Sequence, residues 1–497
     1  MNQEPRTPRL LPIFVPLCLR VSLLLHFTLL HSSFTIQAAE PPSTPILRIE
    51  AGMHTAKIGH IATDASGSRV LTCSVDKTAK LWSLTPGQPA TLLRTFRIPI
   101  GEGSEGKLYA CALSPDGSLA ALGGFTGTDD SSDFPIYLYD TATGQMTRRI
   151  TGLPNVTISL AFSAQGRYLA ASLPGQNGVR VFETATGRSM GKDTDYGHSS
   201  YSLDWAGEDR LLTTSDDGKL RLYAFKPQQA PEALELLHQS TLPQGKQPST
   251  ARFSPDGQMI AVGFSDSTQV ARLRATDLSP LTAPATSTVT RGSLCSVAWN
   301  HDGSRLAAAG EWSALIDNSW THPIRQWPKS GEGKALDTAA ADNSIVDLRG
   351  LPAAAGGGFL YAAGDPAWGV VSESGQHQRH GQAPTADFRD QEDQLRLSAD
   401  GAQVAFGHEV FGKSPAQFSL TDLALQILPA NQEPSSDLRP AKTTGLPIAD
   451  WEATDNPSLD GKALELKSYE NCRSLAIARD DRFFLLGCEF TLRCFER

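Results

Sequence analysis

The sequence predicts an all-β fold made of repeated small antiparallel sheets. Residues 52–84 contain three short apolar runs joined by two tight turns, the pattern of three antiparallel strands. The first turn, at 64–67, returns in variant form with its glycine at positions 117, 166, 257, 303 and 401, and an apolar strand follows each copy. A period of about 40–45 residues in such strands is typical of propeller blades. We therefore expect a β-propeller of seven or eight four-stranded blades.

Four residues of the first unit lie at positions whose side chains form hydrogen bonds with one another in a known family. His54 precedes the first strand, Thr72 lies in the second, Asp76 in the next turn and Trp82 in the third. This spacing resembles that of the WD-repeat family of β-propellers, in which these residue types form one hydrogen-bond chain. The resemblance implies a structural tetrad, because a buried indole, imidazole and carboxylate each need partners. A catalytic His–Asp pair is the alternative.

The fourth unit carries a second predicted tetrad. His198 opens the unit, and Thr213, Asp217 and Tyr223 follow. Asp217 precedes Tyr223 by the same interval as Asp76 precedes Trp82, so a phenol is expected to replace the indole as hydrogen-bond donor.

The N-terminal residues 1–39 have the order of a signal peptide: arginines, a short apolar run and small residues at Ala38-Ala39. We expect an exported protein, periplasmic or secreted, without stable membrane insertion after signal removal. An uncleaved N-terminal membrane anchor is the alternative. The chain is also similar to bacterial exported WD-repeat proteins in which caspase-like peptidase modules accompany the propellers, and the given sequence shows no such module.

The repeat pattern also predicts the domain organisation. The propeller is expected over 45–428, a linker or irregular segment over 429–466, and a further partial WD-like unit over 467–497. The lone strand-like run at 45–49 is expected to supply the missing outer strand of either the seventh or eighth unit or the terminal unit, because propellers avoid open sheet edges.

Charge and cysteine usage narrow the function classes. The formal net charge is −9 and the pI is about 5.7, so no basic field favours binding to nucleic acid. Cys73, Cys111 and Cys295 lie in apolar strand-like runs and are expected to be small buried hydrophobes. Cys488 and Cys494 lie on consecutive runs, and a disulfide across that hairpin is the alternative to free thiols.

Two long loops are the candidate binding elements. Residues 311–323 carry Trp312 and Trp320, and Trp368 lies in the corresponding loop of the next unit. Exposed aromatic residues flanked by polar groups are typical of binding hot spots, whereas the alternative is that they pack the loops onto the disc. The other loop, 124–135, is acidic but lacks the spacing of a calcium loop, so no metal or other cofactor is predicted.

These observations favour a non-catalytic role: a rigid disc whose loop face binds a protein or peptide. The alternative is a hydrolase with its site in the central channel. Residues 187–191 match the Gly-x-Ser-x-Gly pattern, but they follow a propeller-type third strand rather than the strand–turn–helix context of a nucleophile. No catalytic residue is therefore predicted.

Overall fold

The structure is a computed structural model. It describes residues 52–101, 103–127, 132–381, 396–398, 400, 402–408, 414–419, 421–422, 424–440, 445–452, 454–466, 470–477, 481–488 and 492–497. The predicted signal peptide and the strand-like run at 45–49 lie outside these residues. The described part of the chain is nearly all β, with four short 3-10 helices at Gly175–Asn177, Pro227–Gln229, Lys329–Gly331 and Ala353–Ala355. None of its helices is long and apolar enough to cross a membrane.

Seven consecutive antiparallel sheets, here called blades 1 to 7, follow one another along the chain. Blade 1 consists of β1 (Ile58–Thr63), β2 (Arg69–Ser74), β3 (Thr78–Ser83) and β4 (Thr91–Phe96). Blade 2 consists of β5 (Leu108–Leu113), β6 (Leu119–Gly124), β7 (Ile136–Asp140) and β8 (Met146–Ile150). Blade 3 consists of β9 (Ser159–Phe162), β10 (Tyr168–Ser172), β11 (Val179–Glu183) and β12 (Ser189–Asp193). Blade 4 consists of β13 (Ser200–Ala206), β14 (Arg210–Ser215), β15 (Lys219–Phe225) and β16 (Leu234–Thr241).

The last three blades vary this plan. Blade 5 consists of β17 (Pro248–Phe253), β18 (Met259–Phe264) and β19 (Val270–Arg274). Blade 6 consists of β20 (Ser296–Trp299), β21 (Arg305–Ala309), β22 (Ala314–Ile316), β23 (Ser319–Pro328) and β24 (Leu336–Ala341). Blade 7 consists of β25 (Ile345–Gly350), β26 (Phe359–Ala363), β27 (Trp368–Val371) and β28 (His377–Gly381).

The seven blades close into a ring. The first strands β1, β5, β9, β13, β17, β20 and β25 each contact the first strand of the next blade, and β25 contacts β1. The first strands therefore surround the ring axis, and each later strand of a blade lies further out. The expected fold class, an all-β propeller of four-stranded blades, is confirmed.

The ring closes by packing of blade 1 against blade 7. Trp82 and Trp368 meet there with ring centroids 5.4 Å apart, and Ile58 and Leu360 belong to the same buried cluster. The four strands of blade 7 follow one another along the chain, so this sheet has its four strands without the run at 45–49. The Arg349 Nε–H also donates to the Ile61 carbonyl at 3.2 Å across this junction.

An Asp-Gly turn joins the first two strands of blades 2, 5 and 6. In blade 2, the Ser114 hydroxyl donates to the Asp116 carboxylate at 2.5 Å, and the Leu119 N–H donates back to the Ser114 hydroxyl at 2.9 Å. Gly117 has a φ of +71°, a conformation that favours glycine. The same serine–aspartate pairing recurs between Ser254 and Asp256 in blade 5.

Blade 5 departs from the expected four strands. The segment after β19 pairs with that strand through an isolated β-bridge between Leu273 and Pro280, and the Leu281 N–H donates to the Arg272 carbonyl. Prolines at 280 and 284 lack the N–H that a continuous strand ladder requires, so no full outer strand forms here.

The residues after blade 7 form three further sheets. The first consists of β29 (Arg396–Leu397), β30 (Gln403–Phe406), β31 (Ala416–Ser419), β32 (Leu425–Ile427) and β33 (Arg439–Pro440). The second consists of β34 (Ile448–Ala449), β35 (Ser458–Leu459) and β36 (Lys462–Ala463), and the third of β37 (Cys472–Ile477), β38 (Phe483–Cys488) and β39 (Leu492–Glu496). The range 429–466, predicted as a linker or irregular segment, contains the two-residue strands β33 to β36. Leu446 and Trp451 also pack against the core of β37 to β39.

Candidate partner-binding face

The predicted tetrad of blade 1 is a continuous hydrogen-bond chain. The Trp82 Nε1–H donates to the Thr72 hydroxyl at 3.0 Å, and Thr72 Oγ1 lies 2.8 Å from His54 Nε2. His54 Nδ1 lies 2.9 Å from the Asp76 carboxylate, which also accepts from the N–H and hydroxyl of Thr78. His54, Thr72 and Trp82 are buried. The hydrogen-bond chain therefore joins β2, β3 and the turn between them to the loop that precedes β1.

Electrostatics in this tetrad agree with its geometry. Burial by itself would raise the pKa of the Asp76 carboxyl, but the charge and hydrogen bond of His54, with bonds from Thr78 and Thr55, hold it below its ordinary value. Asp76 is thus an ionised acceptor whose oxygens are taken up by neighbouring donors within blade 1.

The predicted tetrad of blade 4 needs a correction, because His198 is not part of it. The His198 side chain is 65% exposed and lies 3.4 Å from Asp216. Tyr196 takes its place: its hydroxyl lies 2.7 Å from Thr213 Oγ1 and 3.0 Å from the Tyr223 hydroxyl. Sequence spacing could have identified Tyr196, because Tyr196 precedes Thr213 by 17 residues and His54 precedes Thr72 by 18.

Asp217 also has a different role from Asp76. Its carboxylate pairs with the buried Arg221 guanidinium at 2.5 Å and accepts the Gly197 N–H at 3.1 Å. The Arg221 guanidinium lies 4.0 Å from the centre of the Tyr196 ring. Arginine and tyrosine therefore replace the histidine link between the turn and the second strand. The Tyr223 hydroxyl donates to Asp193 at 2.8 Å, an acceptor outside the predicted tetrad, and lies beside the Tyr196 hydroxyl.

Two of the three tryptophans proposed for partner binding are core residues, which corrects that part of the prediction. Trp312 is 3% exposed, and the Arg325 guanidinium lies over its indole, 4.8 Å from the centre of the ring. Trp368 is fully buried between Trp82 and His380 at the junction of blades 1 and 7. Trp312 therefore packs its loop onto the disc, and Trp368, the first residue of β27, packs blade 7 against blade 1. Both observations agree with the packing alternative rather than with partner binding.

Trp320 differs, because it projects from the ring on a β-hairpin. Strands β22 and β23 form this hairpin, and Leu315 lies directly opposite Trp320. Both side chains are 58% exposed. The two turn residues, Asp317 and Asn318, have φ values of +50° and +62°, as a tight type I′ hairpin requires.

The side of the ring that carries this hairpin can be stated from topology. The hairpin lies between the second and third main strands of blade 6, and such connections share one face with the loops that join successive blades. Arg291 lies in the loop between blades 5 and 6, and its guanidinium is 5.0 Å from the Trp320 ring centre. We call this side the loop face, and Arg291, Leu315 and Trp320 form its exposed aromatic patch.

The described residues of the acidic loop, 124–127 and 132–135, lie on the same face. Asp129 and Asp130 fall outside the described residues. Asp133 is described, and its carboxylate accepts the Gly152 N–H at 2.6 Å. Among the residues that the structure describes, no group of three or more histidine, cysteine or acidic side chains is arranged to hold a metal ion.

The interior of the ring contains a charged cluster that the sequence did not indicate. Arg252 lies on β17 and Asp347 on β25, so blade 6 separates them along the ring, yet their side chains meet at 3.4 Å. Asp347 also lies 3.1 Å from His60 Nδ1 of blade 1 and 3.3 Å from Arg349. The contact between Arg252 and Asp347 must cross the space inside the ring. Together with the contact to His60, it connects the first strands β1, β17 and β25.

The charges of this cluster are matched. Burial would raise the pKa of the Asp347 carboxyl, but Arg349, His60 and Arg252 hold it well below its ordinary value. Burial and the charge of Arg349 lower the pKa of Arg252 to about 10. Burial raises the pKa of the Asp204 carboxyl, whose oxygen accepts the Phe253 N–H at 2.7 Å. Asp347 is committed to protein donors on every side.

A cleft of about 440 Å³ lies where blades 1 and 7 meet. Leu84, Thr85 and Pro86 line it from blade 1, and His377 and His380 from blade 7. His377 Nε2 lies 2.7 Å from the Tyr361 hydroxyl, and the Ala90 N–H donates to His380 Nδ1 at 3.3 Å. Burial lowers the pKa of both imidazoles, that of His377 to about 4. These two histidines therefore act as neutral structural links at neutral pH.

Taken together, the seven blades and the closed ring define a β-propeller, and blade 1 carries a tetrad like that of WD repeats. The family model described as "WD domain, G-beta repeat" matches residues 49–83, which cover most of blade 1 with its tetrad.

Relatives with established names show similarity over part of the chain. The angio-associated migratory cell protein of Pongo abelii is 30% identical over 187 residues, 35% of this chain and 40% of that protein. The human protein of the same name gives the same identity and coverage. The SIR4-interacting protein SIF2 of Saccharomyces cerevisiae is 27% identical over 220 residues, 43% of this chain and 38% of that protein. The chain thus spans about two fifths of the length of the relatives it matches.

Proposed function

We propose that this chain is a non-catalytic propeller scaffold that binds a protein or peptide through its loop face, with Trp320 as the anchor. The observation that carries the proposal is the exposed pair of Leu315 and Trp320 on a rigid hairpin. Tryptophan is enriched among residues that dominate binding energy, and an exposed cross-strand pair offers it a flat apolar surface.

The surroundings of Trp320 favour binding with little loss of side-chain freedom. The type I′ turn fixes the hairpin, and the Arg291 guanidinium covers one face of the indole. A side chain that is already held in place loses less entropy when a partner covers it. The patch combines apolar surface with a positive charge, so a segment with an apolar side chain next to a carboxylate fits it best.

Two further observations support a scaffold. The most prominent charged group in the ring interior, Asp347, is surrounded by protein donors, so it is not placed to act on a substrate. One relative is named for an interaction with the protein SIR4, which supports a protein as the class of partner.

The test is a comparison of partner retention by variants of the whole chain. We expect Trp320→Ala to weaken partner binding by about 2 kcal/mol, or ~30-fold, because hot-spot tryptophans contribute at least that much. Leu93→Ala is the matched control, since Leu93 is also 50% exposed but lies on the outer strand of blade 1, away from the patch.

Proteins that co-purify with the wild type and with Leu93→Ala, but not with Trp320→Ala, identify the partner. Direct titration of that partner then measures the change in affinity. An unchanged set of partners and an unchanged affinity with both Trp320→Ala and Arg291→Ala would exclude the patch as the binding site. Equal melting temperatures of the variants establish that the fold is intact.

We also propose that the protein is exported from a bacterial cell, with residues 1–39 removed. The support is the order of arginines, apolar run and small residues at the N-terminus. Mass spectrometry of the mature protein from cells tests this. A chain that starts near residue 40 and leaves the cytoplasm agrees with the proposal, whereas a membrane-bound chain that keeps its N-terminus supports the anchor instead.

A further inference from the structure

Two cysteine side chains face each other in the C-terminal sheet. Cys472 is the first residue of β37 and Cys488 the last residue of β38, and the two lie directly opposite in the antiparallel ladder. Their Sγ atoms are 3.7 Å apart, close to van der Waals contact.

This pairing differs from the one that sequence spacing suggested, between Cys488 and Cys494. Cys494 lies opposite Leu485 on the neighbouring strand pair, and its side chain is exposed. The hairpin register offsets Cys494 from Cys488 by three positions, so the two thiols do not face each other. The register therefore excludes the Cys488–Cys494 disulfide, which was the alternative to free thiols, and places Cys472 opposite Cys488.

The backbone at this pair suits a covalent bridge. Opposed residues in an antiparallel ladder have Cα atoms about 4.5–5.5 Å apart. Disulfides span Cα distances of about 4.4–6.8 Å, so the strands need not move apart or together. Bond formation then requires only that the two Sγ atoms close to about 2.05 Å by rotation about their side-chain bonds.

The two thiols differ in reactivity. Cys472 is fully buried, and burial together with the hydrogen bond to Cys488 raises the pKa of its thiol to about 12. Cys488 is half-buried, so its sulfur is within reach of a small reagent. Since the thiolate is the attacking form, Cys488 is the first to react and Cys472 the second.

We propose that Cys472 and Cys488 form a cross-strand disulfide when the protein meets a small disulfide of the glutathione type. The Cys488 thiolate attacks one sulfur of that disulfide, whose S–S bond breaks and releases one thiolate. Cys472 then loses its proton and attacks Cys488 Sγ, which forms the internal bond and releases the second thiolate. The two protein thiols are oxidised, the small disulfide is reduced, and the two protons pass to the two released thiols.

The bridge would join two strands at the centre of a small core. Cys472 packs with Leu475, Phe484 and Leu486 in the cluster that holds β37 and β38 together. Closing the loop between 472 and 488 restricts the unfolded chain and leaves the folded strands where they are. The modification thus stabilises the C-terminal sheet in an oxidising compartment.

Peptide mapping tests the inference directly, because trypsin separates the three cysteines. Cys472 falls in the peptide 468–473, Cys488 in 483–493 and Cys494 in 494–497. The folded full-length chain is incubated with oxidised glutathione, blocked with an alkylating reagent, and digested without reductant. We expect 468–473 linked to 483–493, and an alkylated Cys494.

Two serine variants serve as controls for the identity of the bridge. Cys494→Ser should keep the full yield of the linked peptides, and Cys488→Ser should abolish it and leave Cys472 reduced. A link between 483–493 and 494–497, or both Cys472 and Cys488 alkylated after oxidation of the wild type, would overturn the inference. The wild-type result decides the matter even if a variant fails to fold.

Discussion

Replacement of Asp347 with asparagine keeps the shape of the side chain and removes its negative charge from the interior of the ring. Asp347 is 2% exposed, and the Arg252 guanidinium that meets it has an 8% exposed side chain. Removal of one partner from a buried ion pair typically costs about 3–5 kcal/mol, because the other charge is left without compensation. Arg349 is 19% exposed and Asp204 still attracts Arg252, so we expect the lower limit, about 3 kcal/mol.

Urea unfolding of the wild type and Asp347→Asn measures this difference at neutral pH. Glu373→Gln is the matched control, since Glu373 also lies near two basic side chains, His301 and Arg305, but is 36% exposed. A surface pair of this kind contributes less than about 1 kcal/mol.

Combining Asp347→Asn with Arg252→Met should cost less than the sum of the two single changes, because the uncompensated charge is removed. If Asp347→Asn unfolds at the same urea concentration as Glu373→Gln, the charges in the ring interior do not stabilise the fold and the reasoning fails.

Three other predictions follow from the contacts of the tetrads and the closure cleft. Asp76→Ala should lower the free energy of unfolding by about 1–3 kcal/mol, since it leaves buried donors of His54 and Thr78 without an acceptor, and a wild-type urea midpoint would contradict the tetrad. Tyr196→Phe should cost about 1 kcal/mol, whereas His198→Ala should change stability by less than about 0.5 kcal/mol, and the reverse order of the two urea midpoints would restore His198 to the tetrad. The contribution of His377 to the free energy of unfolding should be fully present above about pH 6.5 and should be lost as the pH falls towards about 4. The reason is that the fold lowers the pKa of His377 to about 4, so the unfolded chain takes up the proton at a higher pH than the folded chain does. His377→Gln should reduce the loss between about pH 7 and about pH 5 in urea unfolding, and an equal loss in both proteins would rule out His377 as its source.

The sequence by itself determined the repeat, the strand order within each unit and the tetrad of blade 1. These features depend on short-range relations: His54 lies 22 residues from Asp76, and the Asp-Gly turn is specified by its own side chains. A hairpin fixes which residues face each other within one unit, so spacing is enough to find them.

Only the tertiary structure decided which aromatic residues are exposed. Trp312 lies in the loop after β21, Trp320 on β23 and Trp368 at the start of β27. Two of the three are covered by other segments of the ring: Trp312 by Arg325 of β23, and Trp368 by the first blade. Burial of a loop side chain depends on surfaces that are distant in the chain, and no local pattern reports them.

The same reason explains the interior cluster and the thiol pair. His60 and Asp347 are 287 residues apart, and they meet because the ring closes with blade 7 beside blade 1. Cys488 faces Cys472 rather than Cys494 because strand register, and not the number of intervening residues, sets which side chains are opposed. Periodicity specifies the blades, whereas ring closure and register decide which distant polar groups and thiols become neighbours.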